Sequence, residues 1–347
     1  MRIKPMAIGR WAATAALALL CAQAQAQPLT KVRFMLDWRF EGPAALFLLP
    51  KAKGYFEQEG LDVSIDAGAG GGTTITRVAS GSYDIGFADM GSIIEFMANN
   101  VNNPAAQMQA TYVVYDSAPM AVFTLKKDGI AKPADLAGKT LGAPVFDPGR
   151  RLFPVFAKAN GIDPASVKWT SMDPSLRETL LQRGQVQGIT GFYFTSLMAL
   201  TSRGVGEDQL NIMKYADNGV KMYGNSIFAT KKYIDQNPKV MAAFIRAFTR
   251  GAREVLADPD ASIAYVKARE PMTDVALEKR RLRLAIDSAV ATPAARANGI
   301  GAADPAVIRR MVTQIVDAYG LKATPDSDAL FSGAFMPPQP ERMIFGK

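Results

Sequence analysis

Residues 61–92 read LDVSIDAGAGGGTTITRVASGSYDIGFADMGS. Leu61–Ala67 alternates apolar and polar side chains with the period of two that a half-buried strand requires. Gly68–Gly72 is a glycine-rich turn. Thr73–Ser80 is predicted as a helix that stops at Gly81, since a terminal glycine ends a helix at little steric cost. Tyr83–Ala88 is a second short strand and Ser92–Asn99 a second helix. Working outward, Lys31–Trp38 is predicted as a buried strand. Ala44–Glu59 is predicted as a helix closed by Gly60, with Pro50 marking a break or kink. Met108–Tyr115 is another strand. The order βαβαβαβ argues for an α/β fold with a mostly parallel sheet covered by helices.

The rhythm repeats downstream. Strands are expected at Ala121–Leu125, Thr140–Val145, Val167–Ser171, Val186–Gly191 and Leu210–Tyr215. Helices are expected between them at Arg150–Asn160, Pro174–Arg183 and Thr195–Ser202. Beyond Met222–Thr230 the chain turns helical, at Pro238–Ala257, Ala261–Ala268, Asp274–Ser288 and Asp304–Tyr319, before a tail rich in Pro and Gly. The two α/β halves are alike in architecture, not in sequence.

The chain has 347 residues, above the size at which one core usually stops growing, so one large domain or two lobes are expected. It contains no histidine, which excludes Ser-His-Asp and Cys-His catalysis, His-ligated zinc and His proton shuttles. Cys21 is the one cysteine, which excludes thiolate metal clusters and intrachain disulfides. No metal and no cofactor is expected. Arg2, Lys4 and Arg10, the apolar run Trp11–Cys21 and the small residues Ala22, Ala24 and Ala26 have the layout of an export leader over residues 1–26, cut after Ala24 or Ala26. A lipid anchor on Cys21 is the competing reading, disfavoured by Leu20 just before it. Loss of the leader's three cations takes the formal charge from +8 to +5. The remaining Lys and Arg are scattered, so no nucleic-acid face is expected. A periplasmic protein is the expectation.

In open α/β sheets, ligands bind beyond the carboxyl ends of the strands. The candidates are therefore Asp37, Trp38, Arg39 and Glu41 after the first strand, and Gly71, Gly72, Thr73 and Thr74 after the second. Asp89, Met90 and Ser92 follow the third. In the second half they are Asp147 and Arg150, then Phe192 and Tyr193. Amides at a helix start suit an anion or a carbonyl oxygen. The glycine loop is neither a P-loop, because no Gly-Lys-Ser/Thr follows, nor a dinucleotide fingerprint, because Thr73 stands where the third glycine belongs. A tight turn explains it equally well. Trp38 is read as core packing or as a ligand platform, and Asp37 and Glu41 as hydrogen-bond acceptors or as acid and base.

LDW at 36–38, AKGYFEQEGLDVSI at 52–65, the run 68–92, ADLAGKTLGAP at 134–144, DPGRRLFPVFAKANGID at 147–163 and the FMPPQP tail resemble the substrate-binding proteins of bacterial ABC importers. The similar group is the NMT1/THI5-like one, which handles nitrate, sulfonates, taurine and thiamine pyrimidine precursors. The resemblance covers nearly the whole mature chain. It implies a two-lobed periplasmic binding protein fold of type II with two hinge crossovers, near 118–121 and 220–226. Lobe 1 would comprise 27–118 plus 223–347 and lobe 2 residues 119–222. It also implies a monomer that captures a small organic solute, anionic or planar heteroaromatic, and passes it to a permease in the inner membrane. The solute would dock between Trp38 and the amides of Gly71–Thr74 and Ser92, and closure would bring Asp147, Arg150 and Tyr193 against it. Two departures stand out. Thiamine-pyrimidine binders continue the Asp-Trp with an Asn- and His-containing stretch where this chain has Arg39-Phe40-Glu41-Gly42-Pro43-Ala44. Fungal enzymes of the group use an active-site histidine, which this chain lacks. The alternative functions are an extracytoplasmic sensor for a signalling kinase and a carboxylate enzyme using Asp37, Glu41 or Asp89.

Overall fold

The computed structural model describes residues 28–345, so the export-leader reading of 1–26 lies outside the described residues. The strands are β1 (Thr30–Met35), β2 (Leu61–Asp66), β3 (Ile85–Asp89), β4 (Met108–Val113), β5 (Met120–Leu125), β6 (Thr140–Ala143), β7 (Lys168–Ser171), β8 (Gly188–Phe192), β9 (Leu210–Lys214) and β10 (Asn225–Thr230). The helices that frame the cleft are α1 (Ala45–Ala52), α2 (Tyr55–Gln58), α3 (Gly71–Ala79), α4 (Met90–Asn99), α5 (Pro148–Arg151), α6 (Phe153–Ala159), α7 (Arg177–Gln182) and α8 (Tyr193–Thr201). After β10 come α9 (Lys231–Gln236), α10 (Pro238–Ala257), α11 (Pro259–Arg269), α12 (Val275–Ala285), α13 (Pro293–Asn298), α14 (Pro305–Tyr319) and α15 (Gln339–Arg342).

The expected Ala44–Glu59 helix is split into α1 and α2, and the break falls at Gly54, not Pro50. Gly54 has φ 70, the left-handed conformation that ends α1 and restarts α2. Pro50 lies inside α1 without breaking it and packs on Gly251 of α10, where an added Cβ would stand 2.6 Å from the proline ring. Asp274–Ser288 is observed as α12 followed by a π-helical turn at Ile286–Val290.

Two five-stranded sheets result, in the orders β2-β1-β3-β10-β4 and β7-β6-β8-β5-β9. Each has four strands running one way and a single strand, β10 or β5, running against them, so the sheets are mostly parallel as expected but not wholly so. β1, β2 and β3 are parallel, as are β6, β7 and β8, but β10 and β5 run antiparallel to their neighbours. The physical reason is the chain path. It leaves the first sheet after β4 and enters the second at β5, then leaves through β9 and returns at β10, so a strand inserted after each passage runs opposite to its α-crossed companions. The two passages, 114–119 and 215–224, are hydrogen-bonded to each other through Ala118 N–H to Met222 O (2.9 Å) and Gly224 N–H to Tyr115 O (2.8 Å).

The first sheet's core holds the cleft-bearing loop of β1 in place. Phe34 of β1 lies 4.9 Å from Phe47 of α1 and 5.1 Å from Phe244 of α10, ring centroid to centroid, and Phe47 lies 4.9 Å from Phe248. All four are fully buried. At roughly 1.5–3 kcal/mol for each buried apolar side chain, they bind α1 and α10 to the strand whose end opens on the site.

Candidate functional site

The site begins where β1 stops. Leu36 N–H still bonds Asp66 O, Gly68 N–H bonds Trp38 O (3.0 Å) and Gly70 N–H bonds Asp37 O (2.8 Å), so residues 36–38 are pinned to the glycine loop after the sheet has ended. The approach demands glycine: a Cβ on Gly68 would stand 2.2 Å from Leu36 O, and one on Gly70 2.9 Å from Phe146 O of the opposite lobe. α3 has no side-chain cap. Thr73 and Thr74 N–H turn back to Gly70 O, while the Gly71 and Gly72 N–H groups carry no hydrogen bond among the described residues.

Behind this loop lies a buried polar cluster. Asp89 caps α4 by accepting Ser92 N–H at 2.7 Å on Oδ1, and its Oδ2 is buried without a partner. That oxygen sits 3.4 Å from where a Gly71 Cβ would be. Asn225 pairs with Asp89 across β10 and β3 and donates from Nδ2 to Asp37 Oδ2 at 2.7 Å; its own Oδ1 is buried and unpartnered. Burial pushes the Asp37 pKa up to about 7, against the opposing pull of Asn225, and raises that of Asp89 as well.

From the second lobe, Asp147 caps α5 through Arg150 N–H (2.9 Å) and also accepts from Thr190 Oγ1 (2.8 Å). Arg177 on α7 is 2% exposed. It pairs with Asp147 at 3.1 Å and with Glu178 at 2.7 Å, and Ser196 donates to Glu178 at 2.9 Å. Burial opposes the charged form of Arg177, but the two carboxylates outweigh it and hold its pKa above the ordinary value. The same guanidinium stands over the Trp38 indole, Cζ 5.5 Å from the ring, and Arg39 lies 5.6 Å from that ring. Trp38 Nε1 donates to Glu41 Oε1 at 3.3 Å.

Two adjoining cavities lie between the lobes. Asp37, Trp38, Gly70, Gly71, Asp147, Pro148, Arg177, Phe192 and Thr195 line the first. Asp37, Trp38, Arg39, Glu41, Phe192 and a wall of Leu36, Phe47, Phe87, Tyr115 and Phe194 line the second. Their volumes, about 20 Å³ and about 30 Å³, correspond to one or two water molecules each.

Of the residues singled out from sequence, Asp37, Trp38, Arg39, Glu41, Gly71, Asp147 and Phe192 line these cavities, and Asp89 and Ser92 stand directly behind them. Gly72 lies on the seam between the lobes, against Phe146 and Arg151. Thr73 is half-buried in the first turn of α3. Thr74 is fully buried and spends its hydroxyl on Leu36 O at 2.8 Å. Met90 is buried in the core, its N–H on Gly224 O. Arg150 is turned aside to Ala143 O (3.0 Å), Ser171 Oγ (2.9 Å) and the Trp169 ring, and Tyr193 lies under Lys214 Nζ at 4.0 Å; neither lines a cavity. Sequence reasoning missed Arg177, Glu178, Thr195 and Asn225. Arg177 opens α7 six residues past the end of β7, deeper in the strand-to-helix connection than the residues taken from the other strand ends.

Asp37 gives a pH signature with a definite sign. The folded protein holds the Asp37 proton up to about pH 7, while an unfolded aspartate releases it near 3.8. Folding therefore takes up a proton between these values, and the stability contributed is present below about pH 4 and lost as pH rises to 7. Asp37→Asn keeps a carbonyl acceptor for Asn225. Denaturant unfolding at pH 4 to 8 is expected to show wild type losing stability relative to Asp37→Asn across that interval, on the order of 3–4 kcal/mol. A difference constant with pH refutes the buried, protonated Asp37.

Among known proteins, the family model described as NMT1/THI5 like matches residues 44–262. The formylaminopyrimidine-binding protein of Halalkalibacterium halodurans is 24% identical over 238 residues, 68% of this chain and 70% of that protein. The riboflavin-binding protein RibY of Chloroflexus aurantiacus is 25% identical over 301 residues, 84% of this chain and 82% of that protein. The alkanesulfonate-binding protein SsuA of Xanthomonas axonopodis pv. citri superposes with a TM-score of 0.67 at 15% identity, covering 87% of this chain and 99% of that one, which shows the periplasmic binding protein fold. With a family match over more than half its length and that fold around an interlobe cleft, this chain belongs to the NMT1/THI5-like family.

Proposed function

We propose that the chain is the periplasmic, monomeric capture component of an ABC importer, and that its solute is a neutral or protonated planar heteroaromatic molecule bearing N–H donors. In this reading lobe 1 is 27–118 plus 223–347 and lobe 2 is 119–222. They part about the paired passages to admit the solute and hand it to a membrane permease when shut, without changing its covalent bonds. The observation that carries the reading is Arg177, held between Asp147 and Glu178 while facing Trp38 across the cleft. The cation buried there is already neutralised twice, so it offers an anionic solute no unmatched charge, and its two carboxylate partners repel one. The Asp37 carboxyl, which lines both cavities, offers an acceptor to an N–H group, and the Trp38 and Phe192 rings suit a flat face. Arg150 faces away from the cavities and Arg151 is paired with Glu95 of the other lobe, which removes both from the case for an acidic solute.

A thermal-shift panel tests this. A formylaminopyrimidine or riboflavin, the solutes of the two binding relatives, is expected to raise the melting temperature by several degrees at about 100-fold excess over Kd. Ethanesulfonate and nitrate are expected to leave it unchanged. Stabilisation by either anion alone, or chemical conversion of the heteroaromatic probe, overturns the reading.

A further inference from the structure

Trp38 projects into the cleft from an irregular segment, and recognition by stacking needs the ring locked in place by what surrounds it. The lock comes from far along the chain. Glu41, which accepts the indole N–H on one oxygen, is ion-paired through the other with Arg281 Nη1 on α12. The Arg281 side chain is 4% exposed, and the same Nη1 reaches Glu278 Oε1 at 3.1 Å. Glu278 in turn accepts the Gly42 N–H. The backbone at Gly42 rests directly on α12: an added Cβ would stand 2.5 Å from Glu278 O and 3.0 Å from Leu282 N. Residues 38–42 are thus fastened to α12 twice, by a buried guanidinium bridging two carboxylates and by backbone contact.

Another face of α12 meets the second lobe. Leu277 and Leu284 pack against that lobe's core, and Arg280 is paired with Glu207. The π-helical turn that continues α12 reaches the first passage, where Ala289 O accepts Ser117 N–H at 3.2 Å. We propose that Arg281 is the positioning residue for the solute platform: through Glu41 it fixes the Trp38 indole, on a helix that also seats the opposite lobe. This rests on the reading of Trp38 as the platform, but its test needs no solute, so a failed solute panel and a failed Arg281 role are told apart.

In a Trp11→Phe, Trp169→Phe background Trp38 is the one tryptophan, and acrylamide quenching of its fluorescence reports how firmly it is seated. Arg281→Met is expected to raise the quenching constant at least about two-fold, and Arg281→Lys, which keeps a cation for Glu41, to restore most of the protection. Glu41→Gln keeps an acceptor for the indole but loses the ion pair. It is expected to act in the same direction as Arg281→Met, and the double variant to be no worse than the worse single one. Circular dichroism confirms that each variant is folded, and Glu41→Gln serves if Arg281→Met is not. A quenching constant unchanged in the folded variants, or additive effects in the double one, overturns the proposal, as does Arg281→Lys behaving like Arg281→Met.

Discussion

Arg177→Met is expected to lower the unfolding free energy at pH 7 by about 3–5 kcal/mol. Arg177 is 2% exposed and its two partners are just as deeply buried, so a methionine of similar length fills the space but leaves Asp147 and Glu178 without their counter-charge. Hydrogen bonds from Thr190, Ser196 and the Arg150 amide remain, yet they do not supply a positive charge. Two features separate this mechanism from simple loss of packing. Adding Glu178→Gln to the variant should recover about 1–2 kcal/mol, because it removes one of the stranded charges. The deficit should also shrink as pH falls, since carboxylates whose pKa values have risen in the folded state favour folding once they are protonated. Guanidinium unfolding of the three proteins at pH 5 and pH 7 checks both. A deficit under about 1 kcal/mol would show that the guanidinium is not what balances the two acids.

Trp38→Ala should cost roughly 100-fold in affinity for whichever heteroaromatic probe stabilises the protein, about 2.7 kcal/mol, with Trp38→Phe retaining most of it. The ring borders both cavities and lies beneath two guanidinium groups, so removing it takes away a flat apolar surface and the partner of both cations together. The variant should still fold, because Trp38 is only half-buried and stands outside the phenylalanine cluster that binds β1 to its helices. Isothermal titration reads the affinity and thermal melting reads the fold. Affinity within about three-fold of wild type would remove Trp38 from the platform.

Much of this was legible from pattern. Pro238–Ala257 is a helix from end to end as its periodicity requires, and the strand ends do deliver Asp37, Trp38, Gly71, Asp147 and Phe192 to one cleft. What pattern could not supply is of two kinds. Direction is one: a lone strand such as Asn225–Thr230 has the same alternation whichever way it runs, so mixed sheets cannot be told from parallel ones until the chain path is known. Side-chain destination is the other. Arg150 and Arg151 are adjacent, yet one caps a sheet edge and the other crosses to Glu95, while Arg177 reaches the cleft from the first position of α7. Nothing in local sequence separates a solvated arginine from one held between two acids.

The backbone bonds joining Ala118 to Met222 and Gly224 to Tyr115 tie the two passages into a single ribbon. A tether made of two loose strings lets its ends wander in every direction; one stiffened by rungs bends easily about only one axis. In the capture reading proposed above, the jaws would therefore swing along a single arc, so that Arg177 returns to the same spot above the indole on every stroke, and cutting one rung should blur the landing before it weakens the grip.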